Sequence, residues 1–278
     1  MEKIRVVTDS GADIPENLVQ ELGIRVVPLT IHFGAEERQD GVDLSPEEFY
    51  RRLAAGEMSH TSQPSPAQFE TAYRELVEEG AEVIISCHLS STLSGTMQSA
   101  QLAARAVDVP VRVVDTRSAS RRVGLVAIEA ARPARAGEPV SAIVQRLESI
   151  IARQRVLFMV DTLEYLQRNG RIGKAQAFVG GLLNIKPILT LEDGVVAPLE
   201  RARGRARAVA RLFERMAQTA AGKLRVAVMH SQADQEAAGL AERIRSRFDV
   251  AEVITGLLGP TIGTHVGPGT LGVVYHSV

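Results

Sequence analysis

Short apolar, β-branched runs alternate with amphipathic stretches along most of the chain. Residues 4–8 carry a buried-strand pattern that stops at Asp9-Ser10-Gly11. Asp13-Ile14-Pro15-Glu16 then offers a cap, a first-turn proline and a capping-box glutamate, which predicts a helix. Strand patterns recur at 24–27, 82–87 and 111–115. Ser45-Pro46-Glu47-Glu48 and Ser65-Pro66-Ala67-Gln68 repeat the helix-start signal and predict helices to about residues 53 and 79. A further helix is expected from about 94 to 107, and two more fill the region to 154. Beyond it, strands are expected at 156–160, 185–191, 195–200, 224–229, 251–255 and 271–275, with helices toward 169, over 203–221 and up to 248. Asp193-Gly194, between two of these runs, is a hairpin signal.

Regular alternation in the first half implies a mostly parallel sheet with helices on both faces. The hairpin in the second half points to an α+β arrangement there. The expected fold is therefore α/β in two domains, 1–153 and 154–278, although no Pro/Gly/Ser-rich linker marks the boundary. The 278 residues suffice for a sizeable core. A formal net charge of −1 gives no overall pull toward nucleic acid or an anionic membrane. The single cysteine, Cys87, cannot form an intrachain disulfide and fits a reducing compartment. MEKIRVVTDS contains no long apolar run, and no stretch approaches the roughly 20 apolar residues of a membrane span. The expectation is a soluble cytoplasmic protein. Aromatic residues are 4% of the chain with no Trp, so an apolar pocket here would be lined mainly by aliphatic side chains.

Two hydroxyl-rich segments carry the strongest chemical signal, each read as lying before a helix. One is Thr61-Ser62-Gln63-Pro64-Ser65; the other is Ser90-Ser91-Thr92-Leu93-Ser94-Gly95-Thr96, just after a buried strand. Loops at the carboxyl ends of parallel strands line ligand crevices, and a helix N-terminus favours an anion. Thr61, Ser94 and the Gly95 amide, with Ser62 and Thr92 beside them, suit a carboxylate or phosphate. The same residue types also serve as helix caps, and Ser65 is read as one. Arg171, between glycines in Asn169-Gly170-Arg171-Ile172-Gly173-Lys174, could pair with an anion, while Gly170 equally suits a helix C-cap. His265 lies within residues 259–269, where four glycines and two prolines predict a tightly turned loop. Gly267-Pro268-Gly269-Thr270-Leu271-Gly272 matches a dinucleotide fingerprint formally, but no helix can follow it. Walker A, nucleophile-elbow and zinc-ligand patterns do not occur, which points away from a nucleotide or metal cofactor. Cys87 is expected in the core and the basic stretch 201–211 on a solvated helix face.

Taken together, these motifs resemble the DegV family. Val7-Thr8-Asp9-Ser10, the Thr61 segment, Leu93-Ser94-Gly95-Thr96, Gly170-Arg171-Ile172, Leu183-Asn184-Ile185-Lys186-Pro187-Ile188 and residues 259–269 occur in that order over nearly the whole chain. The resemblance implies two α/β domains and a long-chain fatty acid buried mostly in the first, with no further cofactor and no chemistry by the protein itself. It implies that Thr61 and Ser94 hold the carboxylate, with Arg171 and His265 near the head group. It also implies presentation of the acid to a separate fatty acid kinase that makes an acyl phosphate for phospholipid synthesis. One departure stands out: after Asp115-Thr116, where family members run through small and apolar residues, this chain has Ser118-Ala119-Ser120-Arg121-Arg122. The competing readings are a small-molecule hydrolase or phosphotransferase using Asp9-Ser10, and a lipid reservoir without a kinase.

Overall fold

The structure, a computed structural model, describes residues 3–180 and 184–278. Leu183 of the fifth family motif lies outside the described residues. In chain order the elements are β1 (Ile4–Asp9), α1 (Glu16–Leu22), β2 (Arg25–Val27), β3 (Thr30–Phe33), β4 (Glu36–Gln39), α2 (Pro46–Ala54), β5 (Ser59–Ser62), α3 (Pro66–Glu78), β6 (Val83–His88), α4 (Thr96–Ala103), β7 (Val111–Asp115), α5 (Arg121–Arg135) and α6 (Val140–Arg153). They continue as β8 (Arg155–Met159), α7 (Glu164–Arg168), β9 (Ile185–Glu192), β10 (Val195–Arg203), α8 (Arg205–Thr219), β11 (Leu224–His230), α9 (Asp234–Arg247), β12 (Val250–Leu257), α10 (Pro260–Val266) and β13 (Leu271–Ser277). The chain divides into two units, Met1–Ser45 with Met58–Ala152 and Pro46–Glu57 with Arg153–Val278.

The first unit is built on a parallel sheet in the order β2-β1-β6-β7. The pleat sends alternate side chains to opposite faces. Val7 and Ile84 meet Phe69, Ala72, Tyr73 and Leu76 of α3 and Ala100 and Ala103 of α4 in one buried cluster. Alternate positions, Val6, Thr8, Ile85 and Cys87, face the other way, and α5 lies against β1 and β6. Each large apolar side chain fully buried this way contributes about 1.5–3 kcal/mol. The parallel register brings Asp9, His88 and Asp115 to one edge, because Thr8 pairs with Cys87 and His88 with Asp115. The loops that follow these strands therefore emerge side by side. Helix α3 starts where expected: the Ser65 hydroxyl accepts the Gln68 amide, and the Gln68 side chain accepts the Ser65 amide, closing a capping box.

Three differences from the sequence reading concern the first unit. Asp13 does not cap α1, whose N-cap is Pro15 without a side-chain bond; Asp13 accepts instead from the Ser120 hydroxyl at 2.6 Å. The helix expected from 94 starts at Thr96 and tightens to a 3-10 turn after Ala103. A three-stranded antiparallel sheet, β4-β3-β5, was not read from sequence: β3, Thr-Ile-His-Phe, alternates over only four residues with Ile31 and Phe33 buried, and its partners Glu-Glu-Arg-Gln and Ser-His-Thr-Ser carry no apolar pattern.

The second unit holds a mixed six-stranded sheet, β10-β9-β8-β13-β11-β12, antiparallel except for the last pair. Asp193 and Gly194 join β9 to β10 with φ of 49° and 82°, the two left-handed residues of a tight hairpin turn. Leu212 and Met216 of α8 and Leu240 and Ile244 of α9 cover Val226, Val228 and Val273 of the sheet. Residues 259–269 are not a loop throughout: Pro260 opens α10 at its first turn. Gly263 is tolerated inside it because a side chain there would overlap Phe49 Cε1 at 2.6 Å and the Tyr50 hydroxyl at 2.7 Å on α2. Among the described residues, no helix is long and apolar enough to cross a membrane.

Candidate functional site

The candidate residues fall into two clusters, one in each unit. In the first unit, Thr61 lies on β5, not in a loop before a helix, and pairs with Ile31 across β3. It is half-buried and shares its face with Ile31, which is fully buried. Ser62 is turned to the opposite face, where its hydroxyl meets His32 Nε2 at 2.7 Å.

The chain then leaves β5 through Gln63, whose carboxamide donates to the Ser99 hydroxyl of α4 at 3.1 Å. That carboxamide also lies over Gly95, so closely that a Cβ at Gly95 would sit 2.6 Å from Gln63 Cδ. The strand bearing Thr61 and the turn bearing Ser94 are thus held together by Gln63. Only glycine at 95 leaves room for that contact. Gln63 was not singled out from sequence, although it sits inside the Thr61 motif; its role depends on a contact with a residue 32 positions later.

The Ser90–Thr96 segment is braced internally. Ser90 Oγ accepts the Thr92 amide and bonds the Thr92 hydroxyl at 2.8 Å. Ser91 donates to Asp115 at 2.6 Å. Ser94 Oγ accepts the Thr96 amide at 3.3 Å and bonds the Thr96 hydroxyl at 2.8 Å. Gly95 is the N-cap of α4, and no side-chain bond caps that helix. This places the half-buried Ser94 hydroxyl on the first amide of α4, at a helix start whose N-cap glycine supplies no side chain, an arrangement that suits an anionic oxygen.

Beneath this edge runs a fully enclosed polar chain. Tyr73 Oη meets Ser86 Oγ at 2.8 Å, Ser86 Oγ meets His88 Nε2 at 2.6 Å, and His88 Nδ1 meets Asp9 Oδ2 at 2.9 Å. Asp9 also accepts the amides of Gly11 and Leu89. One order of protons satisfies every link, from phenol to hydroxyl to imidazole to carboxylate. Burial pushes the Tyr73 phenol up. Burial and the Asp9 charge push the Cys87 thiol up to about 12, so this core cysteine is held as a thiol. Asp9 is therefore occupied by the fold, and Ser10 accepts the Leu29 amide.

The second cluster lies in the second unit. Helix α7 ends in a Schellman turn: Gly170 has φ 69°, its amide bonds Gln167 O, and the Arg171 amide bonds Leu166 O. Arg171 Nη1 donates to Asn169 O at 2.8 Å, and Asn169 Nδ2 donates to Thr264 O at 2.9 Å. His265, half-buried in the last turn of α10, follows Thr264 directly. Asn169 therefore links the Arg171 and His265 motifs, a role its sequence position gives no sign of. In the basic stretch 201–211, Arg201 stacks over the Phe178 ring, Arg205 pairs with Asp161 and Glu236, and Arg211 pairs with Glu200. The Arg211 and Arg215 guanidiniums hold the Glu200 carboxyl below its ordinary value.

A sequence profile described as "Uncharacterised protein, DegV family" matches residues 3–278. A DegV domain-containing protein of Streptomyces coelicolor is 42% identical over 276 residues, covering 99% of this chain and 98% of its own. A fatty-acid-binding DegV family protein from Thermus thermophilus superposes with a TM-score of 0.94 at 39% identity, over 99% of this chain and 100% of its own. DegV of Bacillus subtilis, described as a fatty acid binding protein, gives 0.92 at 35% identity over the whole of both chains.

Proposed function

This chain belongs to the DegV family, and from that premise we propose that it binds a long-chain fatty acid in a buried apolar tunnel of its first unit, with the carboxylate on the hydroxyls of Thr61 and Ser94. The observation that carries this reading is the Gln63 bridge. It seats the Thr61 strand against the Ser94–Gly95 turn, which supports assigning both hydroxyls and the start of α4 to one small anion. Fatty-acid binding by relatives that share the whole fold supports the choice of anion.

Magnitudes divide the labour. Burying roughly 14 methylenes at about 0.8 kcal/mol each gives a gross gain on the order of 11 kcal/mol, from which ligand and tail ordering subtract a large part. A charge-assisted hydrogen bond adds about 1.5–3 kcal/mol. The tail supplies affinity; the hydroxyls supply polarity and orientation. Replacing Thr61 and Ser94 together by Ala is expected to weaken binding of a long-chain acid at least tenfold, while the matching methyl ester loses far less. Equal losses for acid and ester in a fluorescence displacement assay would defeat the assignment.

The protein acts as a carrier in this reading, presenting the acid to a separate fatty acid kinase, with Arg171 and His265 serving that presentation. Arg171→Ala is expected to retain acid binding and to slow acyl-phosphate formation by the kinase. Unchanged acyl-phosphate yield in a coupled assay would remove Arg171 from that role.

A further inference from the structure

The Arg121-Arg122 departure leads to a residue that the Thr61–Ser94 cluster does not use. Arg121 is the first residue of α5 and is only 6% exposed. Its Nε and Nη1 atoms are buried and have no hydrogen-bond partner in the structure. Long side chains at the start of a helix project back over its N-terminus. There Ser120, the N-cap residue, gives its hydroxyl to Asp13, and its side chain does not cap the helix. Buried Thr116 and Ser118 precede it on the same connection from β7. Burial pulls the Arg121 guanidinium down from its ordinary value, and only Asp13 pulls the other way. A permanently charged donor group enclosed in this way needs an anionic acceptor.

We propose that Arg121 is an anion-recognition residue that meets a carboxylate of the ligand bound in the first unit. The position fits. The connection from β7 to α5 emerges at the same carboxyl edge of the parallel sheet as the Ser90–Thr96 turn, because His88 and Asp115 are paired. That carboxylate has two sources: the head group of a simple fatty acid, or a second acid group at the far end of a dicarboxylic chain. The inference rests on the fatty-acid reading and adds a charged contact that hydroxyl groups cannot replace.

The test compares wild type, Arg121→Met and Arg121→Lys for binding of palmitic acid, hexadecanol and hexadecanedioic acid, with thermal melts to verify that each variant is folded. If Arg121 meets the head group, the preference for palmitic acid over hexadecanol falls at least tenfold in Arg121→Met and is partly kept in Arg121→Lys. If it meets a distal acid, the preference for hexadecanedioic acid over palmitic acid falls by that factor instead. A folded Arg121→Met protein with both ratios unchanged makes Arg121 a packing residue and overturns this inference alone. A wild type that takes up neither acid overturns it together with the fatty-acid reading.

Discussion

Buried polar side chains in this protein are matched in different ways, and the way decides what each can do. Asp9, His88, Ser86 and Tyr73 satisfy one another and stabilise the first unit. Asp9, which the competing enzyme reading would use for hydrolysis or phosphoryl transfer, accepts two amides and an imidazole N–H. His276 on β13 is matched only in part. It is 3% exposed, its Nδ1 has no partner, and burial, aided by Arg225 and Arg153, pushes its pKa down to about 4. Below the ordinary histidine value of about 6.5 the unfolded chain takes up a proton that the folded chain refuses until pH about 4. Stability therefore falls as pH falls through that window, by on the order of 3 kcal/mol from this group. His276→Phe, which keeps a ring and removes the titration, is expected to lose less stability than wild type between pH 7 and 4.5 in urea titrations. Equal losses would show that His276 does not titrate in this way. None of this was legible in sequence, because enclosure of a single histidine depends on how separate strands pack around it.

Among the elements, those with a local signal were readable and those made by distant contacts were not. The Ser65–Gln68 box and the Asp193-Gly194 turn depend on residues within four positions, and both form as read. Ser65→Ala removes the hydroxyl that accepts the Gln68 amide and is expected to cost about 1 kcal/mol. A change in the urea midpoint too small to register would mean that Gln68 or solvent fully replaces the cap. By contrast, β4 and β5 show no apolar alternation, β3 alternates over only four residues, and the three exist because they pair with one another. Their omission mattered, since Thr61 was read only as lying before a helix and sits on a strand. The glycines of 259–269 read as turn signals, whereas Gly263 marks close packing of α10 on Phe49 and Tyr50. Even Asp13, a plausible cap by spacing, is taken by Ser120 more than a hundred residues on.

Across the whole molecule, the α/β class was legible because buried parallel strands and amphipathic helices impose different periods on the sequence. The first unit keeps its parallel sheet and the second its mixed one. Less legible was the excursion of residues 46–57, which cluster with the second unit although they lie between strands of the first. Nothing in a helix of this composition records which sheet it will cover. The candidate site was readable as a set of motifs, and the Gln63 bridge explains why two of them belong together. Native mass spectrometry of gently purified protein, followed by lipid extraction and re-titration with long-chain acids, tests the account most directly. It predicts one extractable long-chain acid per chain, replaced stoichiometrically by added acid. A lipid-free protein that also refuses the added acids would contradict it.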